Sequence, residues 1–374
     1  MKKLLVASAV SAALAAPATA LAQQVRVPTL SQVLDASGLS VTGYIDASYS
    51  WANRDQQQFT DRVFDQHNNS FSLNQLGVTI AKQPKEGFGG LVNITVGQDA
   101  QFIHSFPEPS GAPFTSSMFD LTQAYGSYSS GALTVIGGKF TTLAGTEVIA
   151  STGNTTFSRS ILFGAVPFTH TGVRASFAPS DTITLYGGLN NGWDQLSDAN
   201  RQKTLEIGAT FNPVKALTIT ASGYFGTDTA ASPGSPNPAA PQGERDLIDV
   251  VANFIVSNDV NIGAEILTFR QDFTGGTTQK YDGFAGYFNM MIAKQFRATV
   301  RGEYFNDKNG FHFGTPTGTK YYEGTLCLAF LPTSSVELRG EVRMDKANNS
   351  VFVDSDGSTS KTLMSFGLQG LYKF

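Results

Sequence analysis

The sequence predicts an all-β protein: a transmembrane antiparallel up-and-down β-barrel of about sixteen strands, with long extracellular loops and short periplasmic turns. Three observations lead to this fold class. Many segments alternate between apolar and polar side chains, short connections alternate with long ones, and the last strand has a continuous apolar face. This alternation of side chains is typical of strands that face lipid on one side and water on the other.

The final strand gives the strongest local signal. One parity of residues 362–374 is apolar and aromatic, and it comprises Met364, Phe366, Leu368, Tyr372 and Phe374. Successive side chains of a strand point to opposite faces, so one whole face is apolar. Such a strand invites aggregation in water, whereas lipid accommodates it in a closed barrel. A terminal Phe also resembles the assembly signal of bacterial outer-membrane proteins, which implies that the barrel-assembly machinery is a partner that reads Phe374.

The N-terminal residues predict export from the cytoplasm. Lys2 and Lys3 precede an apolar stretch rich in Ala, and Ala20-Leu21-Ala22 has the small-x-small pattern of a cleavage site. We therefore expect a signal peptide over residues 1–22. The apolar stretch is shorter than the ~20 residues that a spanning helix needs. Residues 23–38 would then form a short periplasmic N-terminal segment, and residues 39–374 would form the barrel.

The composition excludes several classes of protein. Beyond the predicted signal, no stretch approaches the ~18 consecutive apolar residues of a membrane helix. Charged residues make up 15% of the chain, below the ~25% of typical soluble domains. A formal net charge of -4 argues against a polybasic nucleic-acid-binding protein. Cys327 is the single cysteine, which excludes an intramolecular disulfide and a CxxC site.

Strand-like segments recur along the chain from residue 39 onward. They lie near residues 39–51, 70–82, 87–97, 118–128, 131–140, 168–178, 182–190, 203–212, 215–225, 246–257, 259–270, 282–293, 296–305, 319–331, 334–345 and 362–374. Tight turns and long connections alternate between them, which an up-and-down barrel requires and Greek-key connections break. The segments near 70–82 and 118–128 alternate poorly, so counts of fourteen or eighteen strands stay open at this point.

A repeat in the short turns predicts a ring of aromatic side chains. Phe177, Phe211 and Phe330 each stand two residues before a proline. Proline suits a turn because its φ is fixed and it needs no partner for an N–H group. We expect these three Phe to join Tyr372 and Phe374 in a periplasmic aromatic girdle. An outer girdle would comprise Tyr49, Trp51, Phe225 and Tyr304.

Charged side chains occupy the parity opposite the apolar face. An Arg facing lipid at mid-membrane would cost about 2–4 kcal/mol, so we expect these residues to face the lumen. The predicted pore-lining and selectivity residues are Arg174, Arg297, Arg301, Glu303, Glu323, Glu337, Arg339, Glu341 and Arg343. Fixed charges on a pore wall bias which ions pass. Arg and Glu on neighbouring strands can also brace the wall, and we expect bracing from most pairs and selectivity from two or three arginines.

Residues 141–167 are less polar than an exposed connection should be. The segment contains apolar side chains that need cover, including Ile149, Phe157, Leu162 and Phe163. Folding into the lumen would bury them and narrow the pore. Glu147 and Arg159 are the only charges of the segment, and we predict that they are constriction residues. Packing on the rim or at a subunit contact is the alternative.

Several motifs resemble the OmpL-like beta-barrel porin family of Gram-negative bacteria. They are Gly43-Tyr-Ile-Asp-Ala-Ser-Tyr49, Phe64-Asp65, Asn69-Ser-Phe-Ser-Leu-Asn-Gln75, Phe119-Asp-Leu-Thr-Gln-Ala-Tyr125 and Phe168-Thr-His-Thr-Gly-Val-Arg174. The resemblance covers essentially the mature chain. It implies a porin in the bacterial outer membrane, surrounded by lipid, through which small hydrophilic solutes and ions diffuse passively. Analogy with general porins implies a homotrimer. The resemblance assigns no binding residues.

Two other functions stay open at this point. A plugged or narrow barrel could act as a surface binding or adhesion protein, although about sixteen strands enclose an aqueous channel. An outer-membrane hydrolase would need a nucleophile beside a His or an acid. The histidines, His67, His104, His170 and His312, are scattered, and no G-x-S-x-G motif lies near them. We therefore predict no catalytic residue, no metal site and no cofactor.

Overall fold

The computed structural model describes residues 29–55, 59, 61–106, 117–198, 200–229 and 242–374. The chain divides into two units, Met1–Gly38 and Leu39–Phe374. The first contains helix α1 (Leu30–Ser37). Gln32 N donates to Thr29 Oγ1 at 3.3 Å, and Thr29 N donates to Gln32 Oε1 at 2.9 Å, which closes a capping box. The predicted signal peptide, residues 1–22, lies outside the described residues.

The second unit is built from strands in chain order. They are β1 (Ser40–Ala52), β2 (Ser70–Lys82), β3 (Gly87–Val96), β4 (Phe119–Ser130), β5 (Leu133–Thr141), β6 (Thr169–Ser180), β7 (Ile183–Asn190), β8 (Thr204–Val214), β9 (Leu217–Thr229), β10 (Gln242–Ile255), β11 (Val260–Phe273), β12 (Thr278–Ala293), β13 (Phe296–Asp307), β14 (Thr319–Phe330), β15 (Val336–Ala347), β16 (Phe352–Val353), β17 (Thr359–Ser360) and β18 (Thr362–Lys373). Within the described residues, no helix is both long and apolar enough to cross a membrane.

Sixteen of these strands, β1 to β15 and β18, form a closed antiparallel barrel in the described part of the chain. Each pairs with its neighbours in sequence, and β1 closes the barrel against β18, where Tyr49 lies opposite Leu368. Closure leaves no free sheet edge, which is the condition for a sheet in lipid. Strands β16 and β17 pair separately inside one long connection. The predicted fold class and the count of sixteen strands are confirmed.

The faces of the barrel reverse the pattern of a soluble protein. On β14, Leu326 and Leu328 are 48% and 52% exposed on the outer face, whereas the adjacent Thr325 and Cys327 are buried. The same contrast runs around the wall, because apolar side chains project outward and most charged ones are covered. At the strand ends, Phe211 and Phe374 are exposed as the predicted aromatic girdle requires. Trp51 is likewise exposed near the opposite end of β1.

Two β-bulges explain why β2 and β4 alternate poorly in sequence. On β2, Gln75 pairs with Asp46 and Leu73 pairs with Ala47, so Asn74 is an extra residue. On β4, Thr122 is extra in the same way opposite β3. One inserted residue reverses the parity of everything that follows it. Both inserted side chains are polar and buried, and Asn74 Nδ2 donates to Asp46 Oδ1 at 3.0 Å.

The interior of the barrel also contains a layer of packed apolar side chains. Helix α2 (Ile161–Gly164) begins at Ser160, whose Oγ accepts from Phe163 N at 3.0 Å. Its residues Ile161 and Leu162 belong to one cluster with inward-facing residues of the strands, which include Tyr224, Leu247, Leu267, Phe269, Tyr281, Phe305, Tyr321 and Leu363. A Cβ on Gly283 would lie 2.8 Å from Leu162 Cδ1, so glycine lets the helix approach the wall closely.

Candidate functional site

Residues 141–167, here called the anchored segment, run from β5 along the inner faces of other strands. The first turn is fixed by Tyr224 on β9, whose hydroxyl accepts from Leu143 N at 2.8 Å and lies 2.9 Å from Thr142 Oγ1. The Tyr224 ring stacks on the His170 ring with centroids 4.6 Å apart. Tyr224, which stacks on His170 and contacts Thr142 and Leu143 through its hydroxyl, therefore positions the start of the segment.

Carboxylates on the wall accept hydrogen bonds from backbone amides of the anchored segment. Gly145 N donates to Asp249 Oδ2 at 2.9 Å, and Thr146 N donates to Glu265 Oε2 at 2.8 Å. Further along, Glu341 accepts from the amides of Phe157 and Ser158 at 2.7 and 3.0 Å, and Glu303 accepts from those of Ile161 and Leu162 at 2.8 and 3.2 Å. These hydrogen bonds connect the backbone of the anchored segment to four strands of the wall, β10, β11, β13 and β15.

Arginines on the wall donate to backbone carbonyls of the same segment. Arg339 reaches Asn154 O at 2.6 Å and Thr156 O at 2.8 Å. Arg301 Nη1 donates to Ser158 O at 2.8 Å, and Arg343 Nη1 donates to Arg159 O at 2.5 Å. Carboxylates and guanidiniums thus hold both polar groups of the backbone. This arrangement satisfies buried peptide groups that water would otherwise have to reach.

The two charges of the anchored segment serve its own conformation. Glu147 forms an ion pair with Arg301 at 2.8 Å and accepts from Ser160 N at 2.5 Å. Burial opposes ionisation of Glu147, but the guanidiniums of Arg301 and Arg159 outweigh it and hold the pKa of this carboxyl below its ordinary value. Arg159 donates to the carbonyls of Val148, Ile149 and Phe157 at 3.0–3.1 Å. Arg159 therefore stabilises the fold of the segment by linking its own carbonyl groups.

The inward faces of β13, β14 and β15 form what we call the charged wall. It contains every predicted pore-lining residue except Arg174, namely Arg297, Arg301, Glu303, Glu323, Glu337, Arg339, Glu341 and Arg343. Its ion pairs include Arg301–Glu323 at 3.1 Å, Arg339–Glu337 at 2.7 Å and Arg297–Glu337 at 2.5 Å. Arg174 lies elsewhere, on β6, and pairs with Glu206 on β8 at 2.5 Å.

Burial distinguishes these residues from the lining of an open channel. Of the predicted pore-lining residues, all except Arg297 are at most 8% exposed, and the Arg297 side chain is 15% exposed. The anchored segment covers the charged wall, and the hydrogen bonds described above run between the two. The role of these residues in ion selectivity stays a prediction.

A second outer connection also packs against the charged wall. Arg62, in the connection between β1 and β2, forms ion pairs with Asp345 on β15 at 2.8 Å and with Asp65 at 2.7 Å. Its Nη2 also donates to Ser365 Oγ on β18 at 2.8 Å. The length of the connection between the segments near 39–51 and 70–82 predicts an extracellular loop, and the alternation of short and long connections does not indicate this contact with the wall. The available signal was the apolar and charged run from Asp61 to Asp65, which resembles buried sequence more than an exposed loop.

Asp194, in the connection after β7, binds the two residues that directly follow the anchored segment. Its Oδ1 accepts from Phe168 N at 2.9 Å and Thr169 N at 2.8 Å. Burial raises the pKa of the Asp194 carboxyl to about 7, although the two amides and Lys139 oppose that change. Sequence reasoning missed this residue, because a lone Asp in a loop carries no distinguishing pattern.

A cavity of about 320 Å³ lies between the anchored segment and the wall opposite the ion pairs. Three inward-facing residues form what we call the hydroxyl wall: Tyr186 on β7, Thr210 on β8 and Thr220 on β9. Thr210 Oγ1 lies 3.0 Å from Thr220 Oγ1 and 3.4 Å from the Tyr186 hydroxyl. Among the residues that the structure describes, Glu147 is the one charged residue in the cavity lining.

Three of the four histidines have separate surroundings in the structure. His104 Nε2 lies 2.8 Å from Phe119 O, His170 Nδ1 lies 3.1 Å from Gly192 O, and His312 packs among aromatic rings. Burial lowers the pKa of the His312 ring to about 4. Across the part of the chain that the structure describes, no three His, Cys, Asp or Glu residues are grouped so that they could hold a metal ion.

Solved structures of outer-membrane proteins have the same fold. OmpT of Vibrio cholerae, in a trimer form, is 11% identical with a TM-score of 0.62, covering 90% of this chain and 99% of its own. The anion-selective porin from Comamonas acidovorans is 9% identical with a TM-score of 0.61 and coverages of 90% and 99%. The outer membrane channel DcaP of Acinetobacter baumannii is 13% identical with a TM-score of 0.59 and coverages of 90% and 97%.

At these identities the likeness concerns the fold alone. A search of curated proteins found no match. The family model described as "Putative beta-barrel porin-2, OmpL-like" matches residues 38–374. This match spans the whole barrel, and the protein therefore belongs to this family of outer-membrane porins.

Proposed function

We propose that the protein is a passive diffusion channel for small hydrophilic solutes and ions. The observation that carries this proposal is the cavity between the anchored segment and the hydroxyl wall, inside a closed barrel whose outer face is apolar. Sixteen strands enclose more space than their own side chains fill. The family match and the fold shared with an outer membrane channel from Acinetobacter baumannii support the same function.

The anchored segment would act as the constriction of this channel. Its backbone is hydrogen-bonded to Asp249, Glu265, Glu303 and Glu341, and Glu147 and Arg159 fix its fold. The main role of the charged wall would therefore be to hold the anchored segment in position through hydrogen bonds. It would influence ion passage through that position and through the partly exposed Arg297.

The remaining assignments follow from this function. Diffusion down a gradient requires no catalytic residue, cofactor or metal, so we propose a channel without enzymatic activity. Residues 1–22 would be removed on export and residues 23–38 would lie in the periplasm. The trimer form of the Vibrio cholerae protein supports a homotrimer, and the exposed Phe374 supports recognition by the barrel-assembly machinery.

Single-channel recording in planar bilayers tests the proposal. The purified mature protein should give stepwise, ohmic openings, and a salt gradient should give a reversal potential that reports the charge preference. Deleting residues 146–160 should raise the conductance, because it removes the segment that narrows the lumen. A silent membrane, with insertion established by protease protection, would favour the sealed binding or adhesion barrel instead. An unchanged conductance after the deletion would contradict the constriction.

A further inference from the structure

The cavity beside the hydroxyl wall has a chemistry that differs from the rest of the lumen. The three hydroxyls of Tyr186, Thr210 and Thr220 lie in one row across three adjacent strands. All three side chains are partly exposed, whereas the residues of the charged wall are almost entirely covered. A solute inside the cavity can therefore reach the hydroxyls directly.

The hydroxyl row has unused hydrogen-bonding capacity. Each hydroxyl offers one donor and two lone pairs. Two contacts link the three groups, and the one between Tyr186 and Thr210 is 3.4 Å long. Good O–H···O bonds are about 2.7–2.8 Å long, so this contact is weak and easily exchanged for one to a solute. The row can thus both donate to and accept from a bound molecule.

The side of the cavity facing the row is mostly apolar. The anchored segment contributes Leu143, Val148 and Val166, and Phe168 follows it. Apolar carbon on one side and hydroxyls on the other match a molecule with a C–H face and an O–H rim. Sites of this composition and of at least about 300 Å³ commonly bind small molecules, with a few polar groups setting the orientation.

Charge contributes little to recognition in this cavity. Glu147 is the charged residue of the lining, and its carboxylate already receives Arg301 Nη1 and Ser160 N. An anion would meet a like charge, and a cation would meet a carboxylate that is already neutralised. The lining therefore favours an uncharged solute.

We propose that the hydroxyl wall is a binding subsite for neutral cyclic polyols of the monosaccharide or disaccharide class. The solute would place its hydroxyl rim on Tyr186, Thr210 and Thr220 and its C–H face on the anchored segment. This inference rests on the proposed channel function and specifies which solutes the channel retains during passage.

The test is block of single-channel current by glucose and by sucrose. The wild-type channel should show a saturable reduction of current with either sugar. A triple variant, Tyr186→Phe, Thr210→Val and Thr220→Val, keeps the side-chain volumes and removes the hydroxyls. Its half-blocking concentration should rise by roughly tenfold or more, because each hydrogen bond contributes several-fold to affinity. Thr79→Val, a partly buried inward residue outside this cavity, is the matched control and should leave block unchanged.

The outcomes separate this inference from the channel function. Ohmic openings without sugar block, or equal block of wild type and triple variant, would overturn the subsite and leave the channel function standing. Block by acetate or glycine that is lost in the triple variant, without block by sugar, would assign the cavity to another class of solute and also overturn it. If the triple variant fails to insert, Tyr186→Phe alone serves, and equal block would again contradict the proposal.

Absence of openings in the wild type would contradict the channel function itself. In that case sugar binding would be measured by calorimetry on the detergent-solubilised barrel, and no binding would overturn the subsite.

Discussion

The charged wall and the hydroxyl wall stand on opposite sides of the anchored segment and use polar side chains differently. Arg301, Arg339 and Glu341 are buried, and their hydrogen bonds go to the segment backbone. Tyr186 and Thr210 are partly exposed and face a cavity. The charged wall thus positions the anchored segment, whereas the hydroxyl wall, which faces the cavity, carries no charge. Rows of charge in a barrel sequence therefore indicate where a segment is held as readily as where ions pass.

Replacing Arg301, which connects the charged wall to the anchored segment, should have the largest effect on stability and conductance. Arg301→Gln would leave Glu147 and Glu323 buried without their main cation. Breaking a buried ion pair on one side typically costs about 3–5 kcal/mol. We expect a large fall in the denaturation midpoint in detergent and a rise in single-channel conductance as the segment loosens.

The control for this prediction is Arg270→Gln. Arg270 is on β11, its side chain is 54% exposed, and its partner is Asp272. This variant should match the wild type in both measurements. If Arg301→Gln lowered stability without changing conductance, the charged wall would brace the barrel but would not position the segment.

A smaller effect, on the pH dependence of stability, should distinguish Asp194, which binds the residues directly after the anchored segment, from Glu147 inside it. Glu147 is paired with an arginine, whereas the Asp194 carboxyl accepts from the backbone amides of Phe168 and Thr169, and its pKa is raised from 3.8 to about 7. The folded protein therefore keeps a proton on Asp194 that the unfolded chain releases above about pH 4. Stability should fall as pH rises from about 4 to about 7, because the folded state binds more protons in that window.

Asp194→Asn keeps an acceptor for the amides of Phe168 and Thr169 and removes this titration. We expect its melting temperature in detergent to fall less than that of the wild type between pH 4 and pH 7. Asp259→Asn, on an exposed turn between β10 and β11, should retain the wild-type slope. Parallel slopes for Asp194→Asn and the wild type would show that the carboxyl of Asp194 does not titrate in this range.

Much of the barrel could be predicted because lipid imposes a strict pattern on the sequence. Alternation along β14 and the terminal girdle residue Phe374 follow from a wall with lipid outside. The bulges at Asn74 and Thr122 could not be located in advance, since a reversal of parity looks like a weak strand. The same pattern predicted that Arg301 and Glu341 face inward, and in the structure both are buried and hydrogen-bonded to the anchored segment.

The contents of the lumen were harder to predict. Leu247 and Phe269 face inward although they are apolar, because they belong to an apolar cluster inside the lumen that also includes Ile161 and Leu162 of the anchored segment. That cluster joins distant parts of the chain, and no local period encodes it. Tyr186, Thr210 and Thr220 could not be identified from the sequence, because hydroxyl residues are common in strands of every kind. Their significance depends on the cavity and the anchored segment that lie opposite them.

Reversal potentials under a KCl gradient test directly whether solutes and ions pass along the hydroxyl wall. Thr210→Lys places a new charge in the cavity, whereas Arg297→Gln removes the most exposed charge of the charged wall while Glu337 keeps Arg339 as a partner. We expect a clear shift toward anion preference for Thr210→Lys and a smaller shift, toward cations, for Arg297→Gln. A larger shift for Arg297→Gln than for Thr210→Lys would place the conducting path along the charged wall and would contradict a path along the hydroxyl wall.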